Sequence, residues 1–185
     1  MTTVALVDDH EMLRSGLAGL INTFPDFKVI FEAGNGKEFI QKLDRNNPPD
    51  IVLLDITMPL MDGYETALWI KTEIPIIKVL VLSMLSNDMV IIRMLRNGVK
   101  GYILKESKPA ILKQAMEAIK NNEFYVNELV RDKLVNYITN EEIAKEMFIS
   151  VRTIDSHRDN LFRKLEINTR FGLVVFAIKH GITTV

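Results

Sequence analysis

The sequence predicts an α/β protein: a doubly wound, five-stranded parallel sheet in the flavodoxin-like order 2-1-3-4-5, with a second, smaller all-α helix-turn-helix domain. Three observations lead there. Over roughly the first 120 residues, short apolar runs alternate five times with stretches of helical periodicity, the pattern of a parallel sheet covered on both faces. Three of those runs end abruptly in polar groups, at Asp8-Asp9, at Asp55 and at Ser83, where open sheets of this kind place their ligand sites. From Thr139 onward only helical patterns remain. The expected organisation is an α/β domain over 1–122, a linker helix over 123–138 and a helix-turn-helix domain over 139–185.

Taken in order, Val4 to Val7 is the first strand, and Glu11 to Phe24 is a helix with Met12, Leu13, Leu17, Leu20, Ile21 and Phe24 on one stripe. Phe27 to Phe31 is the second strand. Gly36 to Leu43 carries Phe39, Ile40 and Leu43 at helical spacing and ends at Asn46-Asn-Pro-Pro49. Ile51 to Leu54 has no polar residue at all and reads as a strand buried on both faces, ending at Asp55. The turn Met58-Pro-Leu-Met-Asp-Gly63 leads into a helix through Trp69, which Pro75 stops. Val79 to Leu82 is the fourth strand, and Asn87 to Arg96 is a helix closed by Asn97-Gly98. Tyr102 to Leu104 is the fifth strand, and Pro109 to Lys120 is a helix with proline in its first turn.

The C-terminal stretch opens with a helix from Asn140 to Phe148, Asn140 serving as its N-cap. Ile149-Ser150 makes a corner. Val151 to Leu165 is a second helix whose polar content is Thr153, His157, Arg158, Asn160, Arg163 and Lys164, the ingredients of a helix-turn-helix. Arg170 to Lys179 is so apolar that it is either deep core or a partner surface.

Composition narrows the function classes. With 185 residues the chain fits one ordinary domain and a small second one. A formal charge of −1 excludes a strongly basic surface overall, so any nucleic-acid contact has to be a local patch. No apolar run approaches the roughly 18–20 residues of a membrane span, and the N-terminus lacks the order of a signal peptide. Without cysteine there is neither a disulfide framework nor a thiolate zinc site. A cytoplasmic protein with no membrane partner is expected.

The strand order brings Asp8, Asp9 and Asp55 together. Adjacent carboxylates repel and are driven toward protonation unless a cation joins them. Mg²⁺ takes oxygen ligands and keeps several waters, which suits these carboxylates plus one backbone carbonyl, that of Thr57 being the candidate. Asp55 is then the nucleophile toward a phosphoryl group, with Lys105 neutralising the transferring oxygens and Ser83 donating a hydrogen bond to them. Ser83 engaged in this way draws Tyr102 after it, a two-state switch. Each residue has a plainer role open to it: helix caps for Asp8-Asp9, a solvated position for Lys105, a turn for Ser83, core packing for Tyr102. The coincidence of four strand ends is what sets the chemical reading apart.

Val7-Asp-Asp-His10, Leu53-Leu-Asp-Ile-Thr-Met-Pro59, Asp62-Gly63, Ser83 and Gly101-Tyr-Ile-Leu-Lys105 resemble the receiver domain of bacterial two-component response regulators. The segment from Asn140 to Leu165 resembles the LuxR-type helix-turn-helix of the NarL/FixJ subfamily. The resemblance implies phosphorylation of Asp55 by a sensor histidine kinase and Mg²⁺ held by Asp8, Asp9 and Asp55. It also implies contact of Lys105 with the phosphoryl group and a switch pair of Ser83 and Tyr102. Binding of double-stranded DNA, transcriptional output without enzymatic turnover, and a homodimer when phosphorylated follow from the same resemblance.

Placed by that resemblance, the second C-terminal helix presents Asp155, Ser156 and Asp159 to the major groove, and Thr153, His157, Arg158 and Lys164 to phosphates. The alternatives are that Asp155 and Asp159 pair with Arg152, Arg158 or Arg163, and that His157 is buried. Seven basic and six acidic residues between Thr139 and Val185 leave phosphate attraction weak per monomer, so useful affinity needs a dimer.

The chain departs from the family pattern in one place. LuxR-type domains have four helices, the first of them ahead of the Asn-Glu-Glu-Ile-Ala helix, and no such helix precedes Thr139. About one helix plus a connection, roughly 15 residues or more, is missing. Either the chain has lost it, or a stretch between Ile138 and Thr139 is absent from the numbering. The second reading is preferred, and a normal peptide length of ~1.33 Å at that junction contradicts it. Two other function classes are open. A phosphoaspartate phosphohydrolase needs a second acid where Thr57 stands, and a receiver-fold module that no longer takes phosphate sits poorly with the complete Asp/Asp/Asp/Ser/Lys set.

Overall fold

The computed structural model describes residues 1–84, 88–126, 140–180 and 182, and the chain divides into two units, Met1–Asn127 and Glu128–Val185. The first unit alternates β1 (Thr2–Val7), α1 (Glu11–Asn22), β2 (Phe27–Ala33), α2 (Gly36–Lys42), β3 (Ile51–Leu54), α3 (Gly63–Glu73), β4 (Lys78–Ser83), α4 (Asp88–Arg96), β5 (Gly101–Leu104) and α5 (Pro109–Lys120). A short β6 (Tyr125–Val126) follows, and all pairs are parallel in the order β2-β1-β3-β4-β5-β6.

Every residue of β3 and β5 is buried, as both faces of these strands are covered. On one face Val4, Leu6, Leu53, Leu80 and Ile103 pack with Ile21 of α1 and with Leu112, Met116 and Ile119 of α5. The α4 helix ends as its Asn97-Gly98 pair requires, with Gly98 at φ +84, a conformation that costs glycine nothing.

Two expectations need correction. The sheet has six strands where five were expected, because Tyr125 and Val126 pair with Gly101 and Tyr102 of β5. Two residues are too few to leave a periodic signal. The same strand replaces the beginning of the linker helix assigned to 123–138. The rest of that helix, and the junction of Ile138 with Thr139, lie outside the described residues.

The β3–α3 turn holds the rim of the sheet. Asp62 caps α3 by accepting from Glu65 N at 2.9 Å, and Asp62 N donates in turn to the Glu65 carboxylate at 3.2 Å, a complete capping box. Gly63 donates to the Ile56 carbonyl at 2.8 Å. A Cβ at this position would collide with the Asp55 carbonyl oxygen and come within 2.6 Å of Ile56 Cα. Backbone cannot yield as a side chain does. Gly63→Ala is therefore expected to cost about 2–3 kcal/mol and to displace Asp55, read as a lower urea midpoint; an unchanged midpoint would show that the turn adapts freely.

The second unit contains α6 (Asn140–Glu146), α7 (Val151–Leu165) and α8 (Arg170–Lys179). Ser150 caps α7 by accepting from Thr153 N at 3.1 Å. Asn140 was expected to cap α6. It is instead the first residue of that helix, and its Nδ2 donates to Asp155 Oδ1 at 2.7 Å, tying α6 to α7. Among the described residues only Ala144, Ile154 and Val175 are buried apolar side chains in this unit. Most of α8 is half-buried, so it is not deep core. No helix among the described residues is long and apolar enough to cross a membrane.

Candidate functional site

The carboxyl ends of β1, β3, β4 and β5 collect the predicted groups. Val7 and Leu54 are register partners, so Asp8 and Asp55 leave adjacent strand ends. Lys105 follows β5, where its backbone N–H donates to the Ser83 carbonyl at 2.9 Å. Its Nζ lies 2.7 Å from Asp8 Oδ2 and 2.9 Å from Asp55 Oδ2. The side chains of Asp8, Asp55 and Lys105 are 6%, 4% and 5% exposed. Two carboxylates thus share one ammonium, and the cluster carries an excess negative charge in nearly dry surroundings.

Burial pushes the Asp55 carboxyl above its ordinary range; the Lys105 hydrogen bond opposes this, and the Asp8 charge adds to it. For Lys105, burial works against the charge, but hydrogen bonds to Asp8 and Asp55 outweigh it and hold the ammonium above its ordinary value. Asp9 is exposed and joins the cluster through His10, whose Nδ1 lies 2.9 Å from Asp9 Oδ1 and 3.1 Å from Asp8 Oδ1. Ligand atoms of Asp8, Asp9, His10 and Asp55 all lie within 4.8 Å of one another. Three carboxylates at that spacing fit a hard divalent cation. Thr57 is exposed, two residues beyond Asp55.

Ser83 and Tyr102 are both buried and hydrogen-bonded to each other. Burial, against that hydrogen bond, pushes the Tyr102 hydroxyl up to about 12. Tyr102 is thus a core residue that is hydrogen-bonded to Ser83.

Sequence reasoning passed over three contributors. His10 bridges the aspartates. Arg14, one turn into α1, donates from Nη1 to the Asp8 carbonyl at 2.5 Å and from Nε to Glu32 at 3.1 Å, bracing the β1 end. Arg93 of α4 stacks 3.9 Å from the Tyr64 ring centroid, and Asn97 Nδ2 donates to the Tyr64 carbonyl at 3.0 Å, pinning α4 to the start of α3. For Arg14 the signal was present, since a base in the first turns of a helix reaches back over the preceding strand end. The Tyr64–Arg93 contact is purely tertiary and leaves no local trace.

In the second unit, Arg158 Nη1 lies 3.0 Å from Asp155 Oδ1 and Nη2 lies 3.1 Å from Asp159 Oδ1. The acids of α7 are therefore paired on the helix, as the alternative reading had it, and Arg158 is the partner of both. His157 is exposed, which removes the buried alternative. Ser156 and Lys164 are exposed and Thr153 is half-buried against Ser150. Arg152, Ser156, Asp159, Asn160 and Arg163 form one exposed face, of which Arg152, Asn160 and Arg163 were not among the expected contacts.

A parallel sheet with an acidic rim and a buried lysine, joined to a helix-turn-helix, defines a class of signalling proteins. The chain belongs to the response regulators. Residues 4–117 match the family described as response regulator receiver domain, and residues 132–177 match the bacterial regulatory proteins of the luxR family. The response regulator protein VraR of Staphylococcus saprophyticus is 32% identical over 204 aligned positions covering 97% of each chain. A LuxR-family two-component response regulator from Aurantimonas is 30% identical, with TM-score 0.66 over 80% of this chain and 99% of that one. The Salmonella typhimurium RcsB response regulator shares the fold, with TM-score 0.64 at 20% identity over 98% of this chain and 97% of that one.

Proposed function

We propose that Asp55 accepts a phosphoryl group from a sensor histidine kinase and that this event governs pairing of the receiver with a second copy and the binding of double-stranded DNA. The observation that carries the reading is the buried Asp8–Lys105–Asp55 cluster, where an acid with a strained charge state faces a cation. Mg²⁺ would be held by Asp8, Asp9, Asp55 and the Thr57 carbonyl, and when bound it supplies positive charge to the phosphoryl oxygens. Asp55 contributes the attacking oxygen. Lys105 lies within reach of that oxygen to balance charge, and Ser83, on the neighbouring strand end, donates to the modified group and draws Tyr102 with it. The chain's own chemistry ends with its own modification, so it acts as a regulator in the cytoplasm and not as a turnover enzyme. The test is incubation with a small acyl phosphate, with Mg²⁺ or with chelator, followed by mass spectrometry of peptides. Mg²⁺-dependent modification of the peptide carrying Asp55 is expected. Modification elsewhere, or none, refutes the assignment.

DNA contacts are assigned to α7: Ser156, Asp159 and Asp155 toward base edges, and Thr153, His157, Arg158 and Lys164 toward phosphates. Arg158 is neutralised by two acids in the free protein. Asp159→Ala frees one side of the guanidinium and removes a charge that repels the backbone. The slope of log affinity against log salt should steepen by about 0.9, measured by fluorescence anisotropy; an unchanged slope places Arg158 away from the DNA.

The domain boundaries at 122 and 138 belong to the same proposal. About 97% of 185 residues align over 204 positions of the Staphylococcus relative, so some 25 positions there have no counterpart here. A shortfall of that size is what loss of about one helix plus a connection ahead of Thr139 would leave.

A further inference from the structure

His10 carries a nitrogen into the carboxylate cluster. It stands at the N-cap of α1, where serine, threonine, aspartate or asparagine would bond the first turn of the helix, and its side chain makes no such bond. The ring turns instead toward the aspartates. Nδ1 lies 2.9 Å from Asp9 Oδ1 and 3.1 Å from Asp8 Oδ1, and the His10 backbone N–H donates to that same Asp8 oxygen at 2.9 Å. Asp8 thus divides its two oxygens, with Oδ2 facing the Lys105 ammonium at 2.7 Å and Oδ1 facing the imidazole. Separations of this size are those of hydrogen bonds, and they are also the edges of a coordination shell. Ligand atoms about 2.1 Å from one ion stand about 3.0 Å apart when adjacent in an octahedron and about 4.2 Å apart when opposite. No pair among the ligand atoms of Asp8, Asp9, His10 and Asp55 is more than 4.8 Å apart.

A nitrogen changes which ion such a shell suits. Mg²⁺ takes oxygen ligands and keeps several waters. Imidazole suits divalent ions of the first transition row, whose affinity for mixed nitrogen and oxygen sites rises along the row. Three carboxylates, the Thr57 carbonyl and His10 would fill five of about six positions, leaving one for a phosphoryl oxygen and none for the waters that Mg²⁺ retains.

The geometry points to His10 Nδ1 as a direct ligand of the cation that Asp8, Asp9 and Asp55 hold, which makes the site selective for a first-row transition ion over Mg²⁺. The inference rests on the reading that these aspartates hold a divalent cation. Ligation takes the Nδ1 lone pair, so the ring proton sits on Nε2 in the loaded protein. Mn²⁺ is the probe, because its unpaired electrons report a bound nitrogen. Electron spin-echo modulation of the full chain with Mn²⁺ at pH 8 should show the nitrogen coupling of a directly bound imidazole. The coupling should vanish in His10→Ser, a change that gives α1 a capping side chain and so does not weaken the helix. Titration calorimetry should find Mn²⁺ binding at least about tenfold weaker in His10→Ser, since loss of even an outer-shell partner costs about 10–100-fold, with a much smaller change for Mg²⁺. No nitrogen coupling in the parent, coupling that survives in His10→Ser, or an equal change for the two ions overturns the inference and leaves the carboxylate site standing. Failure of both ions to bind the parent overturns the carboxylate site itself, and this inference with it.

Discussion

Asp55→Asn should abolish Mg²⁺-dependent labelling by acyl phosphate and, at neutral pH, make the receiver more stable. The first effect follows from loss of the attacking oxygen. The second follows from electrostatics. Asp8 and Asp55 share a single ammonium, and Asp55 is held above its ordinary range chiefly by burial. A neutral amide leaves Asp8 and Lys105 as a balanced pair. A gain of about 0.5–2 kcal/mol is expected, typical for relief of a functional site. The sign of the pH dependence is fixed as well. In the window between the ordinary carboxylate value and the raised one, the native state binds more protons than the unfolded state, so stability falls as pH rises through it. Asp55→Asn should remove that decline. Urea unfolding at several pH values measures both, and a variant less stable than the parent at neutral pH contradicts the charge arrangement.

Lys105→Ala should have the opposite and larger effect. It leaves two carboxylates, 6% and 4% exposed, with no cation between them. Removing one partner of a buried ion pair costs about 3–5 kcal/mol. Three treatments should restore part of the loss: acid, which protonates one carboxylate; Mg²⁺, which stabilises the native state in proportion to its occupancy; and Asp55→Asn in the same chain. The double variant is the sharpest of these. If Lys105 acts through Asp55, the two changes couple by well over 1 kcal/mol, whereas independent sites add to within about 0.3–0.5 kcal/mol.

Much of this site was legible in the sequence because its chemistry sits at the ends of strands with unmistakable apolar runs. Ile51 to Leu54 could only be a strand buried on both faces, and that placed Asp55 at a sheet edge; Pro109 to Lys120 carried its own start and stop. Legibility ended where contacts are tertiary or elements are short. Tyr125–Val126 is two residues long, and only its pairing with β5 makes it a strand. The partner of Asp155 and Asp159 could not be chosen from sequence, since Arg152, Arg158 and Arg163 all stand within a turn or two of them. Arg158 is the base within reach of both. Asn140 looked like a cap because caps are what asparagine before a helix usually provides; its bond to Asp155 depends on how α6 meets α7.

The central claim is that modification at the Asp8–Lys105–Asp55 cluster controls DNA binding by α7. It is tested most directly by measuring affinity of the full chain for duplexes enriched from a random pool, with Mg²⁺ and beryllofluoride as phosphoryl mimic and with Mg²⁺ alone. The account predicts affinity at least about tenfold higher with the mimic, a difference of roughly 1.4 kcal/mol, and no difference for Asp55→Asn. Equal affinities for the unmodified chain under both conditions would contradict it.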